Sequence, residues 1–355
     1  MALPDPLGEL FTAVTGNCTV ASARQSGFFS LCGLFLRLKD RYLWEHQLPP
    51  WSPIEREKLL SWIDDQERLW QGRSDATFQD LPFNGKTYPC FDSTALNRQL
   101  IPIGYYYGAG YGPGMTPTFF FSTIRERTRS FGYEVLVLEK DLACDLSFVP
   151  AQRQGRTIVI RLDPLRFFLW AMLQDTESRE GVQVAMEHYR WSNRRSPRGQ
   201  MNKIVAAEAE TLLHHELGEA LDRSLPPLLW RSLVASFPFS RIELYLRSLK
   251  DLLADTHPRG TLSHIIEKKK IGSLGFYLSN LKGLRRVLFP ELIEAVKKVK
   301  NDGDWSALEH ARLSGRKRFL SQAGLIREYH KRFLPHRPQA FSSAFEEAFL
   351  RPLGY

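Results

Sequence analysis

From Asp163-Pro164 to the C terminus, Pro and Gly divide the chain into short segments that each have helical spacing of apolar residues. Both residue types mark helix ends, so every interval between them defines one candidate helix. The predicted helices cover residues 164–174, 178–191, 200–223, 226–235, 239–254, 260–281, 290–300, 303–313, 316–334 and 340–350. No sequence period of about 30–47 residues recurs, which argues against a tandem helical array. The pattern predicts a compact all-α domain or an irregular solenoid.

The first part of the chain combines helices with a region that favours β-strands. Leu31, Leu34, Phe35 and Leu38 have helical spacing, and Ser52-Pro53 is typical of the start of a second helix. The runs 118–129 and 133–140 are rich in β-prone residues and flank a Ser-Phe-Gly turn, which predicts a hairpin. We expect a third strand at 156–162 and a short helix within 139–150.

These patterns predict an α+β fold that is predominantly α-helical. Residues 1–163 would form N-terminal helices with a small antiparallel sheet, and residues 164–355 an all-α domain. A length of 355 residues is consistent with two domains.

Composition indicates a soluble, cytoplasmic protein without a transmembrane segment. The longest apolar candidate, residues 28–36, is shorter than the roughly 20 residues that span a bilayer. Asp5 and Glu9 lie where a signal peptide would carry positive charge. The four cysteines form no CxxC pair, so we interpret them as free thiols.

The segment 206–223 concentrates polar residues in one predicted helix. Its acidic residues and histidines are Glu208, Glu210, His214, His215, Glu216, Glu219 and Asp222. His215 and Glu219 are four residues apart and could share a divalent metal, and Glu210 and His214 have the same spacing. The sequence therefore predicts one divalent ion, zinc or iron, bound by His214, His215, Glu210 and Glu219. The alternatives are a structural network of polar residues and a metal-free acid–base pair.

The helical projection of this segment separates the two pairs. Glu210 falls in the stripe formed by Leu213, Leu217 and other apolar residues, whereas Glu208 and His215 fall on the polar side. A buried Glu210 would need a partner. The string HELGE at 215–219 departs from the zinc-protease motif HExxH, because Glu219 stands where the second histidine would be. A hydrolase-like metal site would need a further ligand from elsewhere in the chain.

Two segments of the first part could bind anions. The glycines at 108, 110, 112 and 114 alternate in a Tyr-rich stretch, but their spacing is neither that of the dinucleotide fingerprint nor that of a Walker loop. Arg125, Arg127 and Arg129 would share one face of a strand. The simpler interpretations are a Gly-Tyr loop and a charged hairpin end.

Positive charge is concentrated in the last third of the chain. Residues 1–250 contain 29 Lys and Arg against 28 Asp and Glu, whereas residues 251–355 contain 19 against 11. The clusters are Lys268–Lys270, Lys282 with Arg285 and Arg286, Lys297 with Lys298 and Lys300, and Arg316–Arg318. No sequence-specific DNA- or RNA-binding motif accompanies them.

The sequence thus leaves two functions open. One is a metal-binding, hydrolase-like protein acting on a small-molecule substrate that the sequence does not identify. The other is a metal-free helical interaction module whose basic last third binds an acidic partner or a nucleic-acid backbone.

Overall fold

The structure is a computed structural model, and it describes residues 6–175, 179–192, 197–334 and 336–354. The chain divides into two compact units. The first comprises Met1–Gly112 with Thr116–Trp170, and the second comprises Pro113–Met115 with Ala171–Tyr355.

The first unit contains four complete α-helices, most of a fifth and two sheets within its described part. The helices are α1 (Leu7–Ser26), α2 (Leu31–Glu45), α3 (Arg56–Trp70) and α4 (Ser93–Leu100). A small hairpin pairs β1 (Leu81–Phe83) with β2 (Lys86–Tyr88). The larger sheet contains β3 (Tyr105–Tyr111), β4 (Pro117–Ser130), β5 (Tyr133–Cys144), β6 (Ala151–Gln154) and β7 (Thr157–Arg161).

The larger sheet has the order β3-β4-β5-β7-β6 and is mixed. The predicted hairpin is present, with Ser130 opposite Tyr133. β7 pairs with β5 in parallel. β6, which lies between them in the chain, runs in the opposite direction and pairs antiparallel with β7. The predicted short helix within 139–150 is wrong: β5 continues to Cys144, and 145–150 is irregular in this described stretch.

The Gly-Tyr segment is also a strand rather than a loop. β3 pairs with β4 over its whole length, with Gly108 opposite Phe120. A Cβ atom at Gly108 would lie 1.9 Å from Cε1 of Phe120, so this glycine makes room for the aromatic ring. The simpler interpretation as a Gly-Tyr loop is therefore wrong for residues 105–111.

α1 covers one part of the sheet and builds the core of the first unit. Leu10, Val14 and Cys18 of α1 are buried against Phe119 and Phe121 of β4. The apolar positions of α1 recur at helical spacing, which places them on the face that meets the sheet. α5 (Leu162–Gln174) follows β7 directly.

The second unit is helical throughout its described part. Its α-helices are α6 (Arg179–Tyr189), α7 (Pro197–Leu221), α8 (Pro227–Ser236), α9 (Arg241–Thr256), α10 (Thr261–Lys268), α11 (Ile271–Asn280), α12 (Gly283–Leu288), α13 (Glu291–Asp302), α14 (Trp305–Phe333) and α15 (Pro338–Phe345). The core contains Leu246, Leu249 and Leu253 of α9 and Phe319 and Ile326 of α14.

The two helices predicted for 303–313 and 316–334 are one helix. Gly315 lies inside α14, and a Cβ atom there would be 2.7 Å from Cε2 of Phe289. Gly315 therefore serves helix packing and does not end a helix. The predicted fold class, α+β and predominantly α-helical, is confirmed. Among the described helices, none has both the length and the apolar character needed to cross a bilayer.

Candidate functional site

The four predicted ligands lie on α7, in the half of the helix that contacts α9 and α10. α7 begins with Pro197, whose missing N–H costs nothing in the first turn of a helix. It approaches α9 closely at Gly218, where a Cβ atom would lie 2.2 Å from the carbonyl oxygen of Ala254. This close approach brings polar side chains of α7 into reach of α9 and α10.

Glu210 and His214 face α10. The ring of His214 stacks on that of His264, with centroids 4.0 Å apart and 10° between the ring planes. His214 Nδ1 is 3.1 Å from the carbonyl oxygen of Arg259, and Glu210 Oε2 is 3.6 Å from His264 Nε2. The structure therefore brings together two histidines and a carboxylate, and the second histidine, His264, comes from α10 and not from the predicted set.

The ammonium group of Lys270 lies at the centre of this cluster. Its Nζ is 2.8 Å from the carbonyl oxygen of Ala207 and 2.9 Å from Oγ1 of Thr211. It is also 3.2 Å from Oε2 of Glu210 and 3.3 Å from Nε2 of His264. Four acceptors thus surround one protein cation. Burial lowers the pKa of His264 to about 4, and the Lys270 charge acts in the same direction, so this imidazole is neutral at pH 7.

His215 and Glu219 face α9, where each has a different partner. His215 Nδ1 is 2.7 Å from Oδ1 of Asp255, a buried carboxylate that also accepts hydrogen bonds from Thr261 and Tyr277. Burial opposes the charged imidazole, but the Asp255 carboxylate outweighs it and raises the pKa of His215 to about 10. His215 is therefore a cation at neutral pH and forms an ion pair with Asp255.

Glu219 is bound by Lys250 one turn before Asp255 on α9. Oε1 of Glu219 is 2.9 Å from Nζ of Lys250. The same Nζ lies 4.3 Å from the ring centroid of Trp230. His215 and Glu219, which were predicted to share a metal, thus bond to two different groups of α9. His215 bonds to a carboxylate and Glu219 to an ammonium group. Within the described ranges, no group of three or more His, Cys, Asp or Glu side chains has the arrangement of a metal site.

The prediction that Glu210 is the buried carboxylate of α7 is wrong. The Glu210 side chain is 55% exposed, whereas Glu208 is 5% exposed. Glu208 Oε1 accepts hydrogen bonds from Tyr189 at 2.6 Å and from Ser273 at 2.7 Å, and burial raises its pKa. The helical projection missed Glu208 because α7 is covered on more than one side, by α9, α10 and α11.

Two of the three arginines of β4 are paired across the hairpin. Arg125 Nη1 is 3.1 Å from Oε2 of Glu139, and Arg127 Nη2 is 2.6 Å from Oε1 of Glu134. Both arginine side chains are more than half exposed, which agrees with the interpretation as a charged hairpin end.

Two family models match the chain. Residues 9–161 match the N-terminal domain of a family of unknown function (DUF6866), and residues 166–348 match the C-terminal domain of the same family. Comparison with curated proteins and with solved structures gives no match. The C-terminal match alone covers more than half of the chain. The chain, with helices and a mixed sheet followed by an all-α unit, therefore belongs to the family of unknown function DUF6866.

Proposed function

We propose that the second unit is a metal-free helical interaction module that binds an acidic helix of a partner protein through the outward face of α14. The observation that carries this proposal is a group of exposed leucines among exposed basic side chains, with Leu313 and Leu320 on one side of the helix. The leucines are Leu313, Leu320 and Leu325, which are 54%, 40% and 42% exposed. The exposed basic residues of the same helix are Lys317, Arg327, Lys331 and Arg332. These seven residues are called the α14 face below.

Several of the cations predicted for an anion surface form ion pairs within the chain. Arg316 Nη2 is 2.8 Å from Oδ2 of Asp222, and Arg318 Nη1 is 2.6 Å from Oε1 of Glu291. Lys270 belongs to the α7 cluster, and Lys282 pairs with Asp175. Of the cluster Arg316–Arg318, only Lys317 is classed as exposed.

The cations of the α14 face make no ion pair with any residue in the described part of the chain. At 100° per residue, Lys317, Arg327 and Lys331 project within about 80° of one another, so they occupy one side of the helix. Glu328 is the exposed acidic residue of the same stretch. The face therefore carries net positive charge that an acidic partner would offset.

The leucines favour a protein over a nucleic-acid backbone. Leu313 and Leu320 are seven residues apart, and Lys317 lies between them on the same side, which is the spacing that a second helix packs against. A phosphate backbone offers ions but no apolar surface to leucine, and phosphate binding requires only the cations. An acidic helix with its own leucines satisfies both parts of the face.

Each ionisable side chain of the predicted metal site already has a bonding partner within the protein. Glu210 is bonded to Lys270, His215 to Asp255 and Glu219 to Lys250. A divalent ion would have to displace Lys270 or Lys250 and neutralise His215, which is charged at pH 7. This supports the metal-free form of the proposal.

The experiment measures fluorescence anisotropy of two probes with the full chain. One probe is a synthetic helical peptide with leucine at the core heptad positions and glutamate beside them, and the other is duplex DNA. The variants are Lys317→Glu/Arg327→Glu and Leu313→Ser/Leu320→Ser. Leu228→Ser, on an exposed leucine of α8, is the matched control.

We expect both double variants to weaken peptide binding by at least about tenfold, since each removes one part of the complementary surface. The Leu228→Ser control should bind like the wild type. Binding of DNA that depends on Lys317 and Arg327 but not on the leucines would overturn the proposal in favour of a polyanion partner. Absence of peptide binding at about 50 mM salt, where charge attraction is strong, would also overturn it.

A further inference from the structure

A cleft of about 570 Å³ opens in the second unit, between the end of α5 and one side of α6. Its volume is within the range of roughly 300–1,000 Å³ that is typical of small-molecule sites. All of its lining residues belong to the second unit. It is called the α6 cleft below. The lining side chains that bear on a ligand are Leu173, Val182, Met186, Glu187, Arg190 and Trp191.

The helix that forms the longer wall is held in place by α11. A Cβ atom at Gly275 of α11 would lie 2.6 Å from the carbonyl oxygen of Gly181 and 2.7 Å from the backbone nitrogen of Ala185. At 100° per residue, Gly181 and Ala185 project to one side of α6, and Gln183 and Met186 to roughly the opposite side. The α6 cleft is therefore bounded by a closely packed helix, as a preformed ligand site requires.

The floor of the α6 cleft is apolar. Leu173 and Val182 are 8% and 5% exposed, and Met186 and Trp191 are partly buried. The backbone N–H of Trp191 donates to the Met186 carbonyl at 2.8 Å, which places these two residues together at the end of α6. Two aliphatic side chains, a thioether and an indole favour an apolar or aromatic group on the ligand.

Arg190 lies on the rim of the cleft in the left-handed conformation, with a φ of 51°. Its N–H donates to the Glu187 carbonyl at 3.1 Å and, with the Trp191 bond, completes a Schellman motif. Glycine is the usual residue at this position because a Cβ atom is disfavoured there, so the backbone itself does not favour an arginine. The Arg190 side chain is exposed, and its guanidinium makes no ion pair or hydrogen bond with any residue in the described ranges. Its N–H groups are available to a carboxylate.

Glu187 supplies the opposite charge on the same rim. Gln183 Nε2 donates to its Oε1 at 2.9 Å, and no cation in the described part of the chain forms an ion pair with this exposed carboxylate. The other carboxylate of the cleft, Asp175, is bonded to Lys282. The rim therefore offers a ligand one carboxylate, from Glu187, and one guanidinium, from Arg190.

We infer that the α6 cleft binds an apolar α-amino acid. Arg190 receives the carboxylate of the amino acid, Glu187 its ammonium group and the apolar floor its side chain. Charge complementarity selects this class of ligand. An apolar acid would leave Glu187 without a counter-charge, and an apolar amine would leave Arg190 without one.

The test is a ligand-observed NMR titration of the full chain with L-phenylalanine. 3-Phenylpropionate and phenethylamine are the matched ligands, because each keeps the aromatic ring and lacks one of the two charges. We expect phenylalanine to bind with a dissociation constant below about 1 mM. Both analogues should bind at least about tenfold more weakly, since each loses a charged hydrogen bond.

Two variants separate binding from folding. Arg190→Gly should weaken phenylalanine binding by at least about tenfold and raise the melting temperature, because glycine adopts a positive φ without strain. Glu187→Gln should weaken the binding of phenylalanine but not that of 3-phenylpropionate, which has no ammonium group. The matched control is Arg223→Gly, which changes an exposed arginine just after the end of α7. It should bind phenylalanine like the wild type.

Three results would overturn the inference. Phenylalanine could fail to bind at about 10 mM. Binding could persist unchanged in Arg190→Gly, which would place the ligand elsewhere on the protein. Phenylalanine and 3-phenylpropionate could bind equally well, which would assign the cleft to an apolar acid. None of the residues tested belongs to the α14 face, so the result is independent of the proposed function.

Discussion

His215 of α7 and Asp255 of α9 form an ion pair with 2.7 Å between Nδ1 and Oδ1, and the Asp255 carboxylate is almost completely buried. Thr261 and Tyr277 donate further hydrogen bonds to the same carboxylate, from α10 and α11. One buried anion thus connects four helices of the second unit. The pairing explains why a histidine is needed at position 215 without any bound ligand.

Loss of both partners should destabilise the second unit by less than the two single losses together. His215→Ala leaves the Asp255 charge buried without its counter-charge, and we expect the free energy of unfolding to fall by about 3–5 kcal/mol. His215→Ala/Asp255→Ala should cost less than the sum of the two single variants. Urea unfolding followed by circular dichroism measures these values, with the exposed Leu228→Ala as a control within about 0.5 kcal/mol of the wild type. Additive single and double variants would contradict the ion pair.

The same ion pair predicts a loss of stability at alkaline pH. The pKa of His215 is raised to about 10 in the folded protein, from an ordinary value of 6.5. Its contribution is complete below pH 6.5, where both folded and unfolded chains are protonated, and is lost as the pH rises from 6.5 to about 10. Melting temperatures of the wild type should therefore fall across this interval more steeply than those of His215→Gln. Parallel curves would show that His215 is neutral in the folded state.

His264 should have the opposite effect on the acid side. Its pKa is lowered to about 4 by burial, with the Lys270 charge acting in the same direction, so the folded state prefers the neutral ring. Stability is complete above pH 6.5 and is lost as the pH falls from 6.5 to about 4, because the unfolded chain binds the proton first. His264→Phe keeps a ring stacked on His214 and should be less sensitive to acid over this interval. An identical acid dependence in wild type and variant would assign the effect to other groups.

Metal content tests the alternative function directly. For protein purified without a histidine tag, we expect mass spectrometry to find zinc and iron well below one equivalent per chain, because Lys270 lies at the centre of the Glu210–His264 cluster. A chelator should leave the melting temperature unchanged. Stoichiometric metal that is lost in His215→Ala and in Glu219→Ala would instead establish the site predicted from the HELGE string.

Helix packing at Gly218 should tolerate no side chain. A Cβ atom there would be 2.2 Å from the Ala254 carbonyl oxygen, so Gly218→Ala must move α7 away from α9. We expect a loss of about 1–3 kcal/mol in the free energy of unfolding. Gly324→Ala is the matched control inside α14, where the nearest atom is 4.0 Å away at the end of an arginine side chain. It should stabilise the protein by about 0.5–1 kcal/mol.

The sequence by itself determined the features that depend on local chemistry. Helical spacing and the prolines and glycines between segments were sufficient to predict a helical second unit, and alternation about a Ser-Phe-Gly turn was sufficient for the β4–β5 hairpin. The positions of residues 210, 214, 215 and 219 on one helix also followed from the sequence, since spacing along a helix is a local property.

Only the tertiary structure decided which partner each of these residues meets. Glu208 is buried and Glu210 is half-exposed because α7 has neighbours on several sides, which a single apolar stripe does not describe. Arg316 and Arg318 turn inward to Asp222 and Glu291, distant in sequence, and leave Lys317 in solvent. The parallel pairing of β7 with β5 likewise depends on β6, which reverses the direction of the chain between these two strands. Charge compensation and strand pairing are contacts between distant segments, so their partners are set by packing and not by the residues on either side.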